Sequence, residues 1–318
     1  MSNKEYRPTL AQLRTFVTIA ENKHFGAAAA KLNISQPSLS QALVALETGL
    51  GIQLIERSTR KVIVSPVGEE LLPLARATIE AADAFVTRSR GALGVLSGPL
   101  TLGIIPTLTP YILPDFLQES SKHYADLKPQ IVEEQTPALL DQLRDGSVDV
   151  AILAVPAGHP GMRESVLFRE RFVVVTPEGH PLAGRRDLTL DDLRELELLL
   201  LDDGHCLRDQ IIDLCRIAQM SNPGNGEYST RASSLTTIMQ LVVAGLGCTL
   251  VPESAVATEC TRPGLGLAAF APSVAAERTI GLVSRPSSAR AVEHQALGEL
   301  ITRAHAKVIQ RSRSIING

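Results

Sequence analysis

The sequence predicts an α/β protein in two unlike parts, a small helical N-terminal unit ending in a strand pair and a larger region in which strands and helices alternate. Three observations carry this. Residues 13–50 hold their apolar side chains at helical spacing around an Ala-rich centre, whereas from Leu100 onward short β-rich runs alternate with helical stretches. Charge divides at the same place: the first 65 residues carry eight basic and four acidic groups, a balance of +4, and the remainder carries −7 of a total of −3. Finally, 318 residues suit roughly two domains, and 44% hydrophobic with 20% charged residues excludes disorder and supercharged tails. With 3% aromatics and no Trp the core has to be aliphatic, which argues against aromatic platforms for single-stranded nucleic acid.

Leu13, Phe16, Val17 and Ala20 follow helical spacing, and Phe25–Leu32 is a compact Ala-rich helix closed by a turn at Asn33-Ile34. Ser35 is a good N-cap with Pro37 just inside the next helix, whose Leu39, Leu43, Leu46 and Leu50 face the core. That leaves Gln36, Ser38, Ser40 and Gln41 on an open face. The stretch after Gly51 alternates around a basic turn and reads as a two-stranded wing. Together these elements describe a winged helix-turn-helix, whose Gln and Ser side chains can reach base edges while Arg57, Arg60 and Lys61 reach phosphates. A plain three-helix bundle would look much the same from spacing alone.

From Pro66 to about Ser89 a long amphipathic helix presents Leu71, Leu74, Thr78, Ala81, Ala82 and Phe85 on one stripe, which invites pairing with a second chain. The Gly-rich run that follows reads as a hinge. The runs at 100–105, 130–134, 148–153, 172–177, 196–202, 248–252 and 279–283 then alternate with helices near 111–124, 137–145, 207–220 and 235–244. Such βαβ order implies largely parallel sheets in two lobes with a cleft between them. Dinucleotide, P-loop, zincin and serine-elbow motifs are missing from the sequence, so it points to no cofactor and no metal. The N-terminus lacks a secretory pattern and no apolar run reaches a membrane span, so a cytoplasmic location with reduced thiols is expected.

Cys206 and Cys215 are nine apart. On one intact helix they lie about 13.5 Å apart along the axis and about 180° apart around it, beyond the roughly 7 Å between Cα atoms that a disulfide tolerates. Either they never pair or the segment unwinds to let them. A helix N-terminus, His205 and Arg208 favour a Cys206 thiolate, while Asp202, Asp203 and Asp209 oppose it. Cys248 reads as a buried strand residue and Cys260 as an exposed loop residue. Thr107 follows the first strand of the second region, where α/β folds commonly bind ligands.

Over its whole length the sequence resembles the LysR-type transcriptional regulators. The resemblance rests on Leu13, Phe16, Ala20, Glu21, Phe25, Ala28, Ala29, Leu32, the run Ser35 to Ser40, Leu46-Glu47, Leu50-Gly51, Arg57 and Ser65-Pro66-Val67-Gly68. Ile55 and Ser65 depart mildly from the family's usual Phe and Thr. Segments 103–114, 202–215, 231–245 and 277–283 are similar to the OxyR peroxide sensors within that family. The resemblance implies a winged helix-turn-helix over 1–65, a dimerisation helix over 66–92 and a redox-sensing domain over 93–318 with two periplasmic-binding-protein-like α/β subdomains. It implies that Gln36, Pro37, Ser38, Ser40, Gln41, Arg57, Arg60 and Lys61 meet promoter DNA, and that the chain assembles as a dimer of dimers. RNA polymerase and a thiol reductant are the further partners it suggests, and the chain is not expected to be an enzyme.

The same resemblance implies that hydrogen peroxide oxidises Cys206 to a sulfenic acid resolved by Cys215 as a disulfide, with refolding of 202–216. Thr107, Thr136, His205 and Arg278 are the implied peroxide pocket, with Asp209 and Gln210 behind them. Thr136 could equally cap the helix starting at Pro137, and Arg278 could be a surface ion-pair partner. Two other readings fit parts of the chain, namely a regulator sensing a small metabolite in the interlobe cleft, and a thiol peroxidase or solute-binding protein.

Overall fold

The computed structural model describes residues 6–57, 62–89, 96–218, 232–286, 288 and 293–317. The chain divides into two compact units, an N-terminal one through residue 93 and a larger one holding almost all the rest.

The N-terminal unit starts with α1 (Leu10–Asn22), entered through a capping box in which the Gln12 N–H donates to Thr9 Oγ1 and the Thr9 N–H donates to Gln12 Oε1. In α2 (Phe25–Lys31) the cap is His24, whose Nδ1 accepts from the Ala27 N–H. Asn33 makes the next turn at φ 53°, a left-handed conformation that Asn tolerates better than most residues. Ser35 then caps α3 (Gln36–Leu50) by accepting from the Ser38 N–H at 3.2 Å. The wing is β1 (Ile55–Arg57) paired antiparallel with β2 (Val62–Val64).

Phe16, Ile19, Leu39, Leu43, Leu46, Leu54 and Ile55 are all at most 1% exposed and form this unit's core. Each contributes about 1.5 to 3 kcal/mol of burial as an upper estimate. Leu50, expected to face the core, is 37% exposed instead, because it is the last residue of α3 and lies a turn beyond the packed stripe. Glu47 joins the helix to the wing by accepting from the Leu54 and Ile55 N–H groups at 2.8 and 3.0 Å. Ser65 donates to the Gln53 carbonyl and accepts from the Gly68 N–H. At Gly68 a Cβ would fall 2.4 Å from the Leu54 carbonyl oxygen, so only glycine lets the next helix start this close to the wing.

That helix, α4 (Pro66–Ser89), turns Leu72 and Ala75 inward and leaves Leu74 and Phe85 63% and 74% exposed. Of the expected stripe, Leu71 is partly buried against the unit's core, whereas Leu74, Thr78 and Phe85 face solvent.

In the larger unit β3 (Gly98–Ile104), α5 (Thr109–His123), β4 (Leu127–Glu133), α6 (Thr136–Asp145) and β5 (Val150–Ala154) keep the βαβ order, with β3 parallel to both β4 and β5. After them come β6 (Arg163–Pro177), α7 (Cys206–Ile217), α8 (Leu235–Val243), β7 (Thr249–Pro252), α9 (Glu253–Glu259), β8 (Leu265–Ala269), β9 (Glu277–Ser284) and α10 (Glu293–Asn317). Strand order is β4-β3-β5-β9-β6-β7, with β8 also on β6.

The expectation of largely parallel sheets is corrected here. β5–β9, β6–β9, β6–β7 and β6–β8 are all antiparallel, because the returning β9 and the 15-residue β6 run against their neighbours. β6 pairs through its first half with β9 and through its second half with β7 and β8, so one strand serves two ladders. Residues 196–202, expected as a strand, make only single bridges from Leu198 to Cys248 and from Leu201 to Ala232.

Candidate thiol site

Both cysteines of the expected pair lie on α7 as free thiols, Cys206 as its first residue and Cys215 in its last turn. Helical periodicity sorts the side chains. Leu207, Ile211, Leu214 and Cys215 are buried in the core, while Cys206, Asp209, Gln210 and Asp213 line a cavity of about 600 Å³. The opposite wall comes from Thr136, Pro137, Leu140 and Asp141 of α6 and from residues 154–157 and His159 after β5. The chain reaches α7 through Gly204 at φ +91°, where a Cβ would also strike Gln135 Oε1 at 2.2 Å.

Cys206 is partly buried, and burial pushes its thiol up. Arg278 and the Thr136 hydroxyl act the other way, and Asp209 adds to the rise. The sequence left this balance open. Arg208, an expected thiolate-stabilising neighbour, is engaged by Asp203 at 2.9 Å, and the cation that acts on the thiol comes instead from β9. Cys215 is fully buried, and desolvation pushes it up to about 11.

Arg278 has no exposed side-chain surface, which overturns the surface ion-pair reading. It lies directly opposite Glu170 across the β6–β9 ladder. Its Nε and Nη2 contact Glu170 Oε2 at 2.9 and 2.8 Å, Nη1 donates to Thr107 Oγ1 at 2.8 Å, and Nη2 donates to the Thr107 carbonyl at 3.0 Å. Burial works against the Glu170 carboxylate. Arg278, His305 and the Ser254 N–H outweigh it and hold its pKa down at about 2.

Thr136 is the first residue of α6, and its buried Oγ1 has no conventional hydrogen-bond partner, so it does not cap the helix. The same hydroxyl instead favours the charged form of the Cys206 thiol. His205 precedes α7 without capping it, is 5% exposed, and is held toward its neutral form by burial against the opposing pull of Asp202. Its Nδ1 is buried without a partner, as is Gln210 Oε1. Cys206, Thr136, Asp209 and Gln210 thus share the cavity, Thr107 and Arg278 are tied together behind it, and His205 is not part of its lining. Glu170 was missed by sequence reasoning. Its one signal is an acid that alternates in phase with Phe168 and Phe172, on the face those two apolar side chains share.

Cys248 is buried one residue before β7, and burial with Glu197 nearby pushes it to about 11. Cys260 is corrected. It is 7% exposed at the end of α9, not open to solvent, because its flank packs into the core. In the N-terminal unit Gln36, Pro37, Ser38 and Gln41 are exposed at the start of α3 and Ser40 is partly so. Arg57 ends β1, and Arg60 and Lys61 lie outside the described residues. Among the described residues no helix is long and apolar enough to cross a membrane.

Two family models match: residues 10–69 fit the bacterial regulatory helix-turn-helix protein, lysR family, and residues 93–306 fit the LysR substrate binding domain. A probable hydrogen peroxide-inducible genes activator of Mycobacterium leprae is 47% identical, covering 96% of this chain and 98% of the relative. A cysteine-to-serine mutant of Corynebacterium glutamicum OxyR in its hydrogen-peroxide-bound form is 61% identical with a TM-score of 0.71, covering 98% of this chain and 97% of that one. The oxidized form of the same organism's OxyR is also 61% identical, with a TM-score of 0.63 over 99% and 97% of the two chains. By both its matched domains and these relatives, the chain belongs to the LysR family of bacterial helix-turn-helix regulators, in its OxyR branch.

Proposed function

We propose that the chain is a cytoplasmic transcriptional regulator that binds double-stranded promoter DNA and senses hydrogen peroxide through Cys206. One observation carries the redox half of this reading. Two thiols stand on opposite faces of one helix, the first opening on a cavity and the second sealed in the core.

The chemistry balances as two steps. The Cys206 sulfur attacks one peroxide oxygen, the O–O bond breaks, and the other oxygen leaves as water after taking up a proton, with sulfenic acid left on the cysteine. The Cys215 thiol then attacks that sulfur, a disulfide forms, and a second water departs. In the first step Thr136 and Thr107 supply hydroxyls toward the peroxide oxygens and Arg278 supplies positive charge. Asp209 and Gln210 complete the pocket, and His205 adjoins Cys206 in the chain just outside its lining. The second step needs about 13.5 Å of axial separation to collapse, so the 202–216 segment has to unwind.

Gln36, Pro37, Ser38, Ser40 and Gln41 would meet bases, and Arg57, Arg60 and Lys61 phosphates. On this reading residues 1–65 read DNA, 66–92 dimerise through the exposed side of α4, and 93–318 sense peroxide. A charge of +4 per reader is modest, which favours a dimer of dimers presenting several readers on one duplex. RNA polymerase and a thiol reductant complete the cycle, and peroxide consumption is a signal rather than a metabolic turnover.

Mass spectrometry of alkylated peptides before and after stoichiometric peroxide tests the reading. A Cys206–Cys215 bridge is expected, and two thiols that stay alkylatable would sink it. A metabolite sensor, by contrast, would keep its response after Cys206→Ser.

A further inference from the structure

The cavity at Cys206 carries a charge pattern that oxidation of a thiol does not itself require. Three carboxylates line it, Asp141 from α6 with Asp209 and Asp213 from α7, and among its described lining residues there is no Lys or Arg. The remaining titratable lining group besides the thiol is His159.

Asp209 is exposed three residues from Cys206 on the same helical face, and its charge acts directly on the thiol. Asp213 is shared with Arg216 at 2.9 Å, so part of its field is offset. Arg278 does not reverse the sign at the mouth, since its side chain is wholly buried and its charge is matched by Glu170. Nor does His205, which burial holds toward its neutral form. An anion approaching the thiolate therefore meets further negative charge within about a Debye length, while an uncharged reagent meets none of this barrier.

We propose that this acidic mouth is a selectivity device, with Asp209 as its main residue, which makes Cys206 discriminate against anionic electrophiles in favour of uncharged ones such as hydrogen peroxide. The inference rests on Cys206 being the reacting thiol. It concerns which oxidants reach the sulfur, a property separate from how fast the sulfur reacts once reached. Both kinds of reagent attack the same thiolate, so any change in thiolate fraction cancels in the ratio of their rates.

Iodoacetate and iodoacetamide make a matched pair for the test. In each the sulfur forms a bond to carbon and iodide leaves, and the two differ by one negative charge. Rates are read on the Cys206 peptide of the full reduced chain. Asp209→Asn should raise the iodoacetate to iodoacetamide ratio on the order of fivefold at low ionic strength, and the gain should fade in about 0.5 M salt. Asp213→Asn should move the ratio the same way by less. The ratio of peroxymonosulfate to hydrogen peroxide oxidation should follow. A ratio unmoved in both variants, or a rise that survives high salt, overturns the proposal. Because alkylation needs no peroxide, a shifted ratio without peroxide oxidation would spare the filter and sink the sensing reading, and oxidation with an unmoved ratio would do the reverse.

Discussion

Burial raises the thiols of both Cys206 and Cys260, but the main charged neighbour acts on the two in opposite senses. Each is acted on by one member of a pair between a buried carboxylate and an arginine, Arg278 of the Glu170 pair in one case and Glu259, bound to Arg262 at 3.3 Å, in the other. At Cys260 the carboxylate is the thiol's chain neighbour and also accepts from Thr236 at 2.9 Å and Tyr111 at 3.3 Å. Burial and that charge drive the thiol up to about 12, against a weaker pull from Arg262. At Cys206 the cation acts instead, from an Arg278 stretched between Glu170 and Thr107, and the thiol opens on a cavity. Burial raises all four cysteines, so burial does not choose among them. The sign of the nearest buried charge and access to a cavity do.

If Cys260 could substitute for Cys206, the contrast would collapse. Cys206→Ser should abolish the peroxide-dependent bridge, and Cys260→Ser should leave it intact, as read by peptide-resolved alkylation. Removing the cation comes next. Arg278→Gln should slow Cys206 oxidation at neutral pH by roughly ten- to a hundredfold and lower unfolding stability by about 3 to 5 kcal/mol, because Glu170 is left buried without its counter-charge. Stopped-flow oxidation and urea unfolding measure the two effects. Arg262→Gln should cost less, since that side chain is 26% exposed.

Glu170 sharpens the comparison through pH. Its folded pKa of about 2 lies below its unfolded value, so its contribution is complete above about 4.5 and disappears as pH falls toward 2. Glu170→Gln should flatten the stability profile across that window in acid-unfolding curves. The smallest effect belongs to Thr136→Val. Its hydroxyl has no conventional partner to lose, so stability should hold within about 0.5 kcal/mol, while Cys206 alkylation falls slightly as the hydroxyl's help to the thiolate goes.

What could be read in advance was what neighbours in sequence decide. Ser35 as a cap, Asn33-Ile34 as a turn, the wing and the nine-residue cysteine spacing are local statements, and each has its counterpart in the fold. The Glu170–Arg278 pair joins positions 108 apart that become opposite only once β6 and β9 are in register, and periodicity within either segment cannot announce this. Cys260 misled for the same reason. Thr-Glu-Cys-Thr-Arg-Pro-Gly looks like a polar loop until α9 packs its flank inward. The direction of β9 against β5 was likewise hidden, because an apolar run such as 279–283 suits parallel and antiparallel ladders alike.

If Cys206 and Cys215 pair as proposed, the two cysteines of α7 also set a clock. A sulfenic acid at the first residue of that helix has to wait until the helix comes apart before Cys215 can reach it, so the delay between oxidation and locking is governed by how tightly Leu207, Ile211 and Leu214 hold the core. A helix that frays easily would register every brief exposure, and one that holds fast would let short pulses be erased by reduction first. Packing on the hidden face of α7 therefore decides how long a stress must last before it is remembered.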